Sequence, residues 1–262
     1  MRNVAKLFVA GWKETSLVDV LGHVSFTLWL SFCNFRCPWC SNAKLARGMI
    51  RRAVNASELV EVIEDASPFV DYFHVTGGEP TLQFRQLTGL YRSVREKTGL
   101  LLSIDTNASI PLALRFIIEK VGLDHVAIDV KAPLSDPALY ATTVGHPLSM
   151  GARIVEQVVE SIRIAASKIN FLELRTTMVP GLIGKNEVER IASDLAKLKI
   201  EGPERLVYVV QQFIPYETIL DPKYRSAKRT PPELVKKAAR RAKDILGVEV
   251  YYRTLEEGTV KV

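Results

Sequence analysis

The sequence predicts a single α/β domain built on a parallel sheet. Three observations carry this. Short β-branched and aromatic runs alternate with longer amphipathic ones from about residue 24 to the C-terminus. The strand runs are almost continuously apolar, as expected where both faces of a parallel sheet are covered. No Pro/Ser-rich linker, low-complexity tract or fixed-period repeat breaks the 262 residues. Alternation repeated this often implies parallel pairing through right-handed crossovers. An open doubly wound sheet and a complete or partial β/α barrel both satisfy the pattern.

In order, strands are expected at "VSFTLWLS", "YFHVTG", "LLLSIDTN", "HVAIDVKA", "FLELRTTMV", "RLVYVVQQF" and "VEVYYRT". Helices fall between them. "SELVEVIEDAS" offers Ser57 as its N-cap, and "PTLQFRQLTGLYRSVREKTG" opens on Pro80 and closes at Gly99. "PLALRFIIEKVG" runs from Pro111 to Gly122, and "ARIVEQVVESIRIAASK" carries apolar residues at helical spacing. "NEVERIASDLAKLK" begins with Asn186 as a candidate cap, and "PPELVKKAARRAKDILG" ends on Gly247. Residues 1–23 precede the first strand as an N-terminal extension; 24–262 form the core domain, with a C-terminal helix and strand.

The chain is 47% hydrophobic and 24% charged, an ordinary globular balance. Its longest apolar run, "VSFTLWLSF", is too short to cross a bilayer. Lys6 splits the apolar stretch of "VAKLFVAGWKE" and no small-residue cleavage site follows, so a signal peptide is not expected. Three clustered cysteines make no disulfide framework and point to a reducing, cytoplasmic compartment. Most of the +6 net charge is spread through helical stretches and is read as solvated surface. No interleaved aromatic and basic motif points to nucleic acid. The charge suits an acidic protein partner or an anionic small molecule equally.

Polar or glycine-rich groups gather at the ends of successive strands. The cysteines follow the first, "TGGEPT" ends the second, "DTN" the third and "DVK" the fourth, while "RTT" lies in the fifth. Parallel α/β folds bind ligands at that edge, where the loops converge. All three cysteines, Cys33, Cys37 and Cys40, lie in "SFCNFRCPWCSNAK". Structural zinc asks for a fourth protein ligand. Only His23 or His74 stands near, neither at a recommending spacing, and all four histidines are read as strand-end or loop residues. An iron–sulfur cube normally takes four thiolates; with three, one iron keeps an open position for chemistry. A redox pair of Cys37 and Cys40 leaves Cys33 without a role.

Cys33-x3-Cys37-x2-Cys40, with Trp39 before the last cysteine, resembles the signature of the radical S-adenosylmethionine (SAM) enzymes, and "TGGEP" resembles their second hallmark. The likeness extends to activating enzymes of glycyl-radical proteins. "GWKETSLVDVLG", "CNFRCPWCSN", "TGGEPTLQ", "IDTN", "AIDVK", "VPG" and "VYVVQQFIPYETILDP" are similar to segments of anaerobic ribonucleotide reductase activating proteins.

The resemblance implies a partial (βα)6 barrel. It implies that Cys33, Cys37 and Cys40 bind one [4Fe–4S] cluster whose fourth iron is chelated by the amino and carboxylate groups of SAM. It further implies that one electron, from a flavodoxin or ferredoxin, cleaves SAM to a 5′-deoxyadenosyl radical. That radical takes hydrogen from a glycine of a partner protein, an anaerobic ribonucleotide reductase. Gly77 and Gly78 would let the backbone approach the methionyl group, and Glu79 would stand beside the ammonium. Asp105, Thr106 and Asn107 end the third strand, Asp129 and Lys131 the fourth. Lys131 suits a carboxylate as a point charge, and Asp105 with Asp129 would take a monovalent cation or the ribose hydroxyls. Trp39 and the backbone at Ser41 would flank the adenine, and Arg175 aligns with a strand arginine near SAM.

Three departures stand out. Ser41 replaces a histidine common after the last cysteine. Glu217 stands where a relative has histidine after Pro-Tyr. No extra cysteine-rich insertion is present, so one cluster is expected. Two rival readings remain: a radical SAM enzyme acting on a small molecule or RNA, and a non-catalytic zinc-binding interaction module.

Overall fold

The computed structural model describes residues 6–262. Positions 1–5 of the expected extension, and with them Val4 and Ala5 of the signal-like stretch, lie outside the described residues. Strands are β1 (Lys6–Ser16), β2 (Ser25–Leu30), β3 (Arg52–Asn55), β4 (Tyr72–Gly77) and β5 (Leu101–Thr106). They continue with β6 (His125–Asp129), β7 (Phe171–Met178), β8 (Arg205–Gln212), β9 (Glu249–Thr254) and β10 (Gly258–Lys261). The helices are α1 (Ala43–Ala46), α2 (Ala56–Ala66), α3 (Phe84–Thr98), α4 (Pro111–Val121) and α5 (Pro137–Val144). After them come α6 (Gly151–Ala166), α7 (Lys185–Lys197), α8 (Pro222–Arg225) and α9 (Pro232–Leu246).

All seven expected strands form, and they pair in parallel in the order β2-β4-β5-β6-β7-β8-β9. β1 adds antiparallel to β2 and carries β3 on its other side, while β10 pairs back on β9. The single sheet therefore ends at β3 and β10 and stays open. Its concave face is strongly curved, because Tyr72 of β4 shares one apolar cluster with Phe171 of β7 and with Val207 and Val209 of β8. Alternation puts Phe26, Leu28, Phe73, Val75, Leu102, Ile104, Leu172 and Leu174 on the other face, fully buried beneath the helices.

Several local expectations change. Residues 6–16 of the expected extension are a strand of the sheet, held by pairing on both sides. Val20 from the following turn plugs the concave face. The first long helix starts one residue before Ser57, with Asn55 at the N-cap position. The helix expected from Asn186 is capped at Gly184, whose N–H donates to Glu187 at 2.9 Å. Pro80–Gln83 is a 3₁₀ turn leading into α3, and Gly99 ends that helix in the left-handed conformation.

Candidate cofactor and active site

The three cysteines leave the end of β2 on a loop fastened to the short helix α1. The N–H groups of Phe32 and Cys33 donate to the carbonyls of Leu45 and Ala46, each at 3.0 Å. Cys40 N–H closes a turn on the Cys37 carbonyl at 3.2 Å. Two N–H donors aim at the first sulfur: Phe35 N at 3.3 Å and Asn107 Nδ2 at 3.7 Å from Cys33 Sγ. Asn107 also holds the loop through Asn34 Oδ1 at 3.0 Å, and Asn34 donates to Ser109 at 2.7 Å. All three thiols are free. Burial pushes Cys33 up to about 11 and Cys37 up to about 12, and it raises Cys40.

The "GGE" turn has a packing role of its own. A Cβ on Gly77, at φ +119°, would overlap the backbone of Leu30, and one on Gly78 would overlap the Phe32 carbonyl. The space both glycines leave is filled by the chain itself, so they bring the second loop against the first. Glu79 is fully buried. Its carboxylate accepts from Thr81 N at 3.1 Å, Thr81 Oγ1, Thr106 Oγ1 at 2.8 Å and Asn107 N at 2.7 Å. Burial raises its pKa and these donors oppose the rise. With its acceptors spent on the ends of β4 and β5, Glu79 ties the rim together rather than facing an ammonium group. Thr106 acts in the same tie.

The rim acids are already paired. Arg175 donates from Nη1 to Asp105 at 2.8 Å, from Nε to Glu173 at 2.5 Å and from Nη2 to the Asp19 carbonyl at 2.8 Å. Asp129 meets Lys131 Nζ at 2.9 Å. Asp105 and Asp129, the residues expected to take a monovalent cation or the ribose hydroxyls, thus each have a cationic side chain of the chain itself beside them. Burial opposes the charge of Asp105, yet Arg175 and His74 hold its carboxyl far below the usual range. Burial likewise opposes the Lys131 ammonium, which Asp129 and Cys37 keep charged. Arg175 is buried and clamps Asp105, Glu173 and the Asp19 carbonyl together.

Lys131 lies 5.3 Å from the centre of the Trp39 ring, and Trp39 Nε1 donates to the Thr143 carbonyl at 3.0 Å. Trp39 packs against Val179, Phe213, Ile219 and Tyr224. The Ser41 carbonyl accepts from Thr218, which folds the segment after β8 over the cysteine loop. Glu217 beside it is exposed. Together Cys33, Cys37, Cys40, Trp39, Asn107, Asp129 and Lys131 line one rim, whereas Gly77, Gly78, Glu79, Thr106 and Arg175 support it from behind.

A buried polar network beneath the rim escapes the sequence reading. His74 and His125, taken as strand-end or loop residues, are fully buried. Both bond Ser103 Oγ through Nδ1, at 2.7 and 2.8 Å. Their Nε2 atoms stand 3.4 Å from Asp105 and Glu173 respectively. Arg253 of β9 comes within 4.0 Å of Glu173. Burial lowers the pKa of His125 despite Glu173 beside it. The register that aligns His74, Ser103 and His125 across three strands was the signal, and it is visible only once the strands are paired.

Among the described residues no three His, Cys, Asp or Glu side chains converge as a ready-made metal cage. The donor chemistry nonetheless fits an iron–sulfur cluster. Three thiols share one short loop with no carboxylate or imidazole among them, and N–H groups point at a sulfur, the contacts that tune cluster potentials. Buried thiols with raised pKa values need a metal to lose their protons.

Comparison with known proteins places the chain. The Radical SAM superfamily model matches residues 28–195, and the chain belongs to that superfamily, whose members use a [4Fe–4S] cluster and SAM. It is thus a radical SAM enzyme. It is 29% identical over 210 residues to a protein of Methanocaldococcus jannaschii provisionally named a glycyl-radical enzyme activating enzyme, covering 80% of this chain and 81% of that one. It is 26% identical over 204 residues to a 7-carboxy-7-deazaguanine synthase of Hyperthermus butylicus, covering 72% and 86%. Among solved structures, the FeFe-hydrogenase maturase HydG of Carboxydothermus hydrogenoformans superposes with a TM-score of 0.60 at 14% identity, over 88% of this chain and 53% of that one. Streptococcus suis SuiB gives 0.56 at 15% identity, over 84% and 44%. These structural likenesses speak for the fold, and the chain spans about half the length of those two proteins. No helix among the described residues is long and apolar enough to cross a membrane.

Proposed function

We propose that this chain activates a glycyl-radical enzyme, an anaerobic ribonucleotide reductase, using an electron from flavodoxin or ferredoxin. The observation that carries the reading is the relative from M. jannaschii, which matches over four-fifths of both chains. In this reading Cys33, Cys37 and Cys40 would hold the cluster beside SAM. When bound, the cluster would supply the electron for reductive cleavage of SAM, the chemistry that abstracts hydrogen from the target glycine.

The chain's own residues then have distinct tasks. Asn107 and Phe35 donate to the Cys33 sulfur, favouring its thiolate. Lys131, kept charged by Asp129, offers a fixed cation for the carboxylate of SAM. The apolar group around Trp39 excludes water from the rim, where a primary radical must meet its target and nothing else.

Mixing the reduced protein, SAM and a candidate reductase should produce a glycyl-radical EPR signal in the reductase. SAM cleavage without that signal would favour a second reading, a small-molecule substrate. That reading draws support from the buried polar network of His74, His125 and Glu173 under the rim, with Arg253 beside it, and from the likeness to a deazaguanine synthase.

A further inference from the structure

At the C-terminal end of the concave face a row of polar side chains crosses the last strands of the sheet. Thr177 of β7 pairs with Gln211 of β8, Gln211 with Arg253 of β9, and Arg253 with Thr259 of β10. Alternation puts the row on the concave face, one step beyond Arg175, Val209 and Tyr251 along their strands. All its members are partly exposed, and none belongs to the cysteine loop or to the tie at Glu79. Because β2 and β4 to β9 run parallel, the row stands at the same edge of the sheet as the cysteine loop.

The row is rich in uncommitted donors. Thr177 Oγ1 donates to Gln211 Oε1 at 3.3 Å, which commits the amide oxygen and leaves the NH₂ group to donate. Arg253 Nε donates to Thr259 Oγ1 at 2.8 Å, while Nη2 is buried with no hydrogen-bond partner among the described residues. Glu173 stands 4.0 Å from Nη2, beyond hydrogen-bond reach, and the same oxygen already accepts from Arg175 Nε at 2.5 Å. Burial and the Arg175 charge hold Arg253 below its ordinary pKa, and Glu173, Asp105 and Asp19 do not restore it. A guanidinium with spare donors, next to an amide NH₂ in a row without an acid, matches a planar anion with two oxygens.

We propose that Gln211 and Arg253 form a subsite for a carboxylate of the substrate. The subsite is separate from Lys131, to which the carboxylate of SAM is assigned, and it asks only that substrate lie along the concave face. It therefore holds for either reading of the target. The carboxylate is an acidic side chain near the glycine of a protein substrate, or part of a small acid. Binding there gives the buried guanidinium an acceptor and fixes one end of the substrate, so that a chosen C–H bond is held toward the cysteine rim.

The test uses the anaerobically reconstituted, SAM-loaded protein and two acid–amide pairs as probes. One pair is acetyl-Gly-Glu-amide and acetyl-Gly-Gln-amide; the other is benzoate and benzamide. Affinities are measured by calorimetry in the parent, Arg253→Gln, Arg253→Lys and Gln211→Glu. In the parent at least one acid should bind about tenfold tighter than its amide, the size of one charge-assisted hydrogen bond. A preference in the peptide pair assigns the carboxylate to a protein substrate, and one in the benzoate pair to a small acid. Arg253→Gln should abolish the preference and Arg253→Lys keep part of it. Gln211→Glu supplies a carboxylate from the chain itself and should exclude the acids although Arg253 is intact. Equal affinity for acid and amide in both pairs, or a preference that survives Arg253→Gln, would overturn the proposal. The glycyl-radical signal is read separately in the reductase, so the two claims fail independently.

Discussion

Glu79 N–H donates to the carbonyl of Phe32 at 2.8 Å, and Gly78 just before it leaves no room for a side chain over that same carbonyl. The "TGGEP" turn and the cysteine loop are therefore one physical unit. The residue preceding Cys33 is held by the residue following the glycine pair.

It follows that Gly78→Ala should displace the Phe32–Cys33 backbone. The expected result is a folded α/β protein that reconstitutes with much less iron and acid-labile sulfide than the parent. Full cluster content in the variant would show that the two loops are not coupled in this way.

Glu79→Gln replaces one acceptor oxygen with an amide NH₂ that faces donors. At a fully buried site this should cost about 1–3 kcal/mol of stability, read from urea unfolding. An unchanged midpoint would mean that Glu79 is not the tie between β4 and β5.

Arg175 balances two buried carboxylates. Arg175→Met should destabilise the fold by about 3–5 kcal/mol, because Asp105 and Glu173 are left uncompensated. The sign with pH follows from their depressed pKa values. Their stabilisation is fully present above the unfolded values, near 3.8 for Asp and 4.5 for Glu, and is lost as pH falls below them. Urea midpoints measured from pH 7 downward should therefore fall in the parent protein, with a shallower acid limb in the variant.

Cys37→Ala should abolish formation of 5′-deoxyadenosine and leave the circular dichroism of the fold intact, since the cysteine loop lies outside the sheet. A variant that still made the nucleoside would remove Cys37 from the ligand set.

How much of this was legible in the sequence varies with range. The seven parallel strands and the long helices were, because apolar runs and Pro/Gly punctuation are local signals. β1 was not: its alternating exposure in "KLFVAGWKETS" is the mark of a strand covered on one face only, near the sheet's edge. The cysteine triplet was legible from spacing alone. The pairing of Asp105 with Arg175 and of Asp129 with Lys131 was not legible, because each residue stands on its own in the sequence. Which charge answers which is a question of register. The His74–Ser103–His125 chain stayed hidden for a similar reason: it needs strand pairing to appear.

The most direct measurement is Mössbauer spectroscopy of the anaerobically prepared, ⁵⁷Fe-enriched protein with and without SAM. The account predicts a [4Fe–4S] cluster in which one iron site changes on adding SAM while three do not. A colourless protein holding about one zinc and no acid-labile sulfide, or a cluster indifferent to SAM, would contradict it.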